Sequence, residues 1–115
     1  MRLLVCGGRD FGRAKALWLT LDGWHAGKAI TCLIDGAAPG ADTLAHWWAV
    51  RNGIPFERYP ADWEGLGRRA GYVRNAQMLR EGRPSAVLAF PGRRGTAMMC
   101  DLAIKAGVYT CLWKG

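Results

Sequence analysis

Five short apolar runs alternate with segments of helical period along this chain, and few folds accept that alternation. Arg2 to Cys6 (RLLVC), Ile30 to Ile34 (ITCLI), Ile54 to Tyr59 (IPFERY), Ser85 to Phe90 (SAVLAF) and Val108 to Trp113 (VYTCLW) read as strands. Pro55 pushes the third towards a strand start or a sheet edge. Between them, Ala14, Leu17, Trp18, Leu21 and Trp24 recur at helical spacing, with Gly27 near the stop. Ala41, Leu44, Ala45, Trp48 and Ala49 form a second helical face that ends at Asn52-Gly53. A polar, glycine-rich loop runs from Pro60 to about Arg69. Tyr72, Val73, Ala76 and Leu79 then suggest a third helix, ended by Gly82 and Pro84. Met99, Leu102, Ala103 and Ala106 give the last helix, capped by Gly107.

Strands that alternate with helices imply a parallel sheet covered on both faces. The expected fold class is α/β: a Rossmann-like three-layer sandwich with a mostly parallel five-stranded sheet, as one domain over residues 1–115. Half the residues are hydrophobic and 22% are charged, which excludes a disordered chain. No apolar run is long enough to span a bilayer. Met1-Arg2 precedes only four apolar residues before Gly7-Gly8, too few for a secretory signal, so a cytoplasmic location is expected. Cys6, Cys32, Cys100 and Cys111 lack CxxC spacing, and neither His25 nor His46 completes a zinc pattern with them. They read as reduced, mostly buried small hydrophobes, and no metal or cofactor is expected.

The formal charge of +7 favours anionic partners such as phosphates, nucleotides or nucleic acid. Ligands of such sheets bind outside the carboxyl ends of the strands. After the first strand come Gly8, Arg9 and Asp10; after the second, Gly36, Gly40, Ala41 and Asp42; after the fourth, Gly92, Arg93, Arg94, Gly95 and Thr96. Glycines let backbone N–H groups approach phosphate oxygens, and the following helix N-terminus adds partial positive charge. Arg93 and Arg94 supply strong, bidentate-capable phosphate contacts, and Thr96 can cap its helix or donate to a phosphate. Asp42 caps its helix or meets a ribose hydroxyl, capping being the simpler role. Arg9 and Asp10 either pair with each other or reach a phosphate and a sugar hydroxyl. Arg74-Asn75 opens the third helix, and Trp63 either stacks on a base or covers the core edge. Trp47 stands beside its helix's apolar stripe, half exposed, where it would serve self-association.

The segments LLVCGGRDF, IDGAAPGADTLA, PADWEGLGRRAGYVRNAQML and AFPGRRGTAMM, in that order over nearly the whole chain, resemble the YspA-like, cpYpsA-related branch of the SLOG superfamily. That resemblance implies a Rossmann-like domain that senses or processes nucleotide-derived ligands. Relatives include the Lonely-guy phosphoribohydrolases and, more distantly, the single-strand-binding DprA. Carried over by motif, Gly36, Gly40, Ala41, Asp42, Gly92, Gly95 and Thr96 line a phosphate–ribose pocket, and Arg74 matches the arginine that opens a helix over it. The phosphoribohydrolase pattern PGGxGTxxE is broken here, because Arg93 stands for its second glycine and Met99 for its glutamate. Methionine can neither carry charge nor move a proton. Asp101 lies about 200° further around the helix and does not replace that glutamate. The lysine that follows the arginine in those hydrolases is Asn75. Binding or sensing of a phosphorylated nucleotide or nucleotide-sugar is therefore the leading expectation. Two alternatives stand beside it: a hydrolase using a loop aspartate (Asp10, Asp42 or Asp62), and a single-stranded nucleic-acid binder, for which Arg74-Asn75 resembles the DprA element. A homodimer is implied by resemblance alone.

Overall fold

The computed structural model describes the whole chain, Met1–Gly115. Its strands are β1 (Arg2–Cys6), β2 (Cys32–Asp35), β3 (Phe56–Arg58), β4 (Ala86–Ala89) and β5 (Tyr109–Leu112). They form one sheet in the order β3-β2-β1-β4-β5, and every neighbouring pair is parallel. The sheet is thus wholly parallel where the sequence led us to expect a mostly parallel one. The helices are α1 (Ala14–Gly27), α2 (Ala41–Arg51), α3 (Trp63–Leu66), α4 (Ala70–Gln77) and α5 (Arg94–Lys105). No helix is long and apolar enough to cross a membrane.

From β1 the chain steps outward to β2 and β3, then returns to place β4 on the other side of β1. Because such crossovers keep one hand, opposite directions of travel put helices on opposite faces. The side chains of β1 record this by their alternation. Leu3 and Val5 join Leu17 and Leu21 of α1 and Ala45, Trp48 and Ala49 of α2 in one apolar layer. Leu4 and Cys6 point the other way, into Met78 and into Met99, Cys100 and Ala103 of α5. Two indole N–H groups pin α1 to α2: Trp18 donates to the Leu44 carbonyl at 2.9 Å and Trp48 to Asp22 at 2.9 Å.

Three local expectations need correction. The loop after β3 is not irregular throughout, since Asp62 accepts a hydrogen bond from the Gly65 N–H and starts α3, and a 3-10 turn over Gly67–Arg69 leads into α4. The third helix does not bury Tyr72 and Val73, which are 52% and 41% exposed. It turns Ala70, Asn75 and Met78 inward instead, because Arg74 and Asn75 find hydrogen-bond partners at the strand ends. Its last turn widens to a π-turn over Met78–Gly82, and the left-handed residue that stops it is Arg83, not a glycine. Trp47 is 54% exposed, as its position off the stripe implied.

Candidate functional site

The return of the chain past β1 leaves a crevice between the loops that follow β1 and β4, which is where doubly wound sheets hold ligands. A cavity of about 450 Å³ opens there. The loops around it are knitted by their backbones. The Gly8 N–H donates to the Pro91 carbonyl at 2.8 Å, and the Gly8 carbonyl accepts from Ala41 at 3.2 Å. A Cβ on Gly8 would stand 2.8 Å from the Pro91 oxygen, so only glycine permits this approach. Gly40 has φ of +77°, and a Cβ there would overlap the Gly8 carbonyl. Ala37 is also left-handed, held by its N–H to Asp35 at 2.7 Å.

These contacts divide the residues expected at the site. Gly8, Arg9, Asp10, Asp42, Arg74, Asn75, Arg93, Arg94, Gly95 and Thr96 line the crevice. Gly36, Gly40, Ala41 and Gly92 do not. They form the frame behind it: Gly36 offers its carbonyl to the Arg74 guanidinium, Ala41 is fully buried, and Gly92 packs against the Thr96 side chain. Small residues after strands served loop-to-loop packing here, a role that short range in sequence does not reveal. The crevice also holds Cys6, Gly7, Ala38, Met78 and Met99, which were not among the expected site residues. Met99 belongs to a helical stripe, so its pattern signalled core alone, and Met78 lay outside the stripe read for its helix. Only the position of Met99, where the resembling hydrolases carry glutamate, pointed to the site. The neighbouring Cys100 thiol and burial raise the Cys6 thiol, and it stays a protonated, apolar part of the wall.

Asp42 does not cap α2, whose N-cap is Gly40. Its Oδ2 accepts the N–H groups of Gly36 at 3.0 Å and Ala38 at 3.3 Å, which fixes the β2–α2 loop. Its Oδ1 takes no hydrogen bond from the protein. Burial and then the charge of Asp35 push the Asp42 carboxyl up to about 7, against the pull of the loop N–H groups and Arg74. Arg74 is itself lowered by burial, with Asp42 opposing that shift. Its Nε donates to Asn75 at 2.9 Å, and Asn75 Nδ2 donates to the Gly95 carbonyl at 3.2 Å. This relay ties α4 to the loop after β2 and to the first turn of α5.

Asp35, fully buried at the end of β2, is raised by desolvation and held by Ala37 and by Arg58, whose Nε stands 3.0 Å from its Oδ1. That pair lies outside the crevice and serves the frame. Arg9 and Asp10 do not pair with each other: Asp10 meets Arg93 at 3.7 Å, an exposed contact, and Arg9 lies over the Trp63 ring. Asp101 is exposed and does not line the crevice. No three histidine, cysteine, aspartate or glutamate side chains stand close enough to share a metal ion.

Residues 1–65 match the model of the family described as YspA, cpYpsA-related SLOG. The chain belongs to that family. This SLOG chain is also similar to the Gene 61 protein of Mycobacterium phage D29, at 36% identity over 115 residues, covering 93% of this chain and 91% of that protein. In fold it resembles DNA processing protein A (DprA) from Streptococcus pneumoniae, with a TM-score of 0.77 and 20% identity, over 99% of this chain. The SLOG chain spans 50% of the length of that DprA chain, and the likeness is one of fold.

Proposed function

We propose that the crevice binds a phosphorylated nucleotide or nucleotide-sugar, with the phosphate at the start of α5 and a sugar hydroxyl at Asp42. One observation carries this reading. Three arginines, Arg9, Arg93 and Arg94, surround a ligand-sized cavity whose rim also holds Gly95 and Thr96 at the start of α5, a helix end with no side-chain cap. Only Arg93 among the three meets a carboxylate, and that contact is long and exposed. Family membership and the DprA-like fold support a nucleotide-related role. A thermal-shift screen tests the reading with nucleoside monophosphates, ADP-ribose, cyclic nucleotides and short single strands. A binder at a hundred times its dissociation constant adds about 2.7 kcal/mol, roughly 10 °C for a chain of this size. Arg93→Ala with Arg94→Ala should abolish the shift. Stabilisation by single strands alone would overturn the proposal in favour of nucleic-acid binding.

A hydrolytic reading is favoured by a separate observation, the free Oδ1 of Asp42, whose own carboxyl burial pushes up to about 7. Release of free base or phosphate from any ligand found in the screen, lost in Asp42→Asn, would move the chain from sensor to enzyme.

A further inference from the structure

The crevice is described so far by what it offers a phosphate; Trp63 and Arg9 concern the other end of the ligand. Trp63 is 46% exposed, so its large apolar side chain contributes little to either buried layer. It is nevertheless held in place. The Asp62 carboxylate accepts from the Gly65 N–H at 2.9 Å and closes the turn that carries the indole. Gly71 lies against the ring, where an added Cβ would sit 3.3 Å from Trp63 Cη2. On the ring stands Arg9, with its guanidinium carbon 5.3 Å from the centroid. Arg9 makes no ion pair, since the neighbouring Asp10 meets Arg93 instead, and it lines the crevice. Arg9 thus presents a planar cation at the rim of a cavity ringed with arginine, and the anchored indole backs it from outside the crevice lining.

Resting on the phosphate-binding reading above, we propose that the Arg9–Trp63 pair seats the planar ring of the ligand. The preferred ligand is then a nucleotide, and a bare sugar phosphate is a poor substitute. Stacking of a base on an aromatic side chain is worth about 1–3 kcal/mol by alanine substitution, which is a factor of about 5 to 150 in affinity. The alternative role for Trp63 is to hold Arg9 at the correct angle for phosphate, in which case the ring of the ligand is irrelevant.

Calorimetric titration of the full chain with nucleotides (the four ribonucleoside monophosphates, their cyclic forms and ADP-ribose) and with ribose 5-phosphate separates these roles. The wild-type chain should bind at least one nucleotide about tenfold or more tighter than ribose 5-phosphate. Trp63→Ala and Trp63→Leu should bring that nucleotide down to the level of ribose 5-phosphate while leaving ribose 5-phosphate unchanged, and Trp63→Phe should retain most of the preference. Leucine keeps an apolar group over Gly71, so a loss shared by both variants is not a folding defect. Equal weakening of both ligand types would overturn the stacking surface and leave the phosphate site standing. Equal wild-type affinity for both types would do the same. Binding of neither ligand type would overturn both readings together.

Discussion

Asp42 has one oxygen committed to the β2–α2 loop and the other open to the crevice, and burial sets its titration. In the unfolded chain an aspartate releases its proton near pH 3.9, whereas the folded protein holds it up to about 7. Between those values the folded state binds the extra proton, so this group's stabilisation is present below about pH 4 and is lost as pH rises through 7. The shift corresponds to at most about 4 kcal/mol. Urea unfolding at pH 5 and pH 8 should therefore show wild-type protein losing more stability on the alkaline side than Asp42→Asn, which has no proton to lose at this site. Parallel losses in the two proteins would place the titrating group elsewhere. Asp35, also raised by burial, remains in both proteins and contributes in the same direction.

Junctions between elements leave the least room for a side chain in this fold. Gly40 ends the β2–α2 loop at φ of +77° against the Gly8 carbonyl, so Gly40→Ala combines backbone strain with a clash against main chain that cannot swing away. A loss of about 3 kcal/mol or more is expected from urea midpoints. Gly23 provides the internal contrast. It lies within α1 with open space around it, so Gly23→Ala should stabilise by about 0.5–1 kcal/mol. Opposite signs from the same substitution would show that the junction, and not glycine content as such, limits stability. The Arg74–Asn75 relay acts at the same scale, since it joins α4 to the β2–α2 loop and to the start of α5, which come from distant parts of the chain.

Across the whole molecule, both apolar layers depend on one sheet. β1 supplies Leu3 and Val5 to the layer under α1 and α2, and Leu4 and Cys6 to the layer under α5. Loss of either layer exposes one face of the shared central strand, so the two should not unfold separately. Trp18, Trp24, Trp48 and Trp113 all lie in or against the first layer, whereas far-UV dichroism reports every helix. The fluorescence and dichroism transitions should coincide in urea. A fluorescence midpoint displaced from the dichroism midpoint would reveal a separable half and argue against a single cooperative domain.

The strands and most helices were legible because their signals are local: apolar runs, a 3.6-residue period, and glycine or proline at the stops. The place of the crevice was legible for a related reason, since ligands of this architecture sit at strand carboxyl ends and the charged, glycine-rich loops follow β1, β2 and β4. Other features depended on partners far away in the chain. The pairing of Asp35 with Arg58 spans 23 residues, and the relay from Asn75 to Gly95 spans 20. Tyr72 and Val73 carry the apolar signal of α4, yet Arg74 and Asn75 face inward, because the strand order places hydrogen-bond partners on that side. Periodicity and turn chemistry, which act between near neighbours, were thus determined by the sequence alone. Which loops meet, which carboxylate is desolvated and which arginine stays without an ion pair were decided only when the order β3-β2-β1-β4-β5 brought distant segments together, since burial and charge pairing act through space and not along the chain.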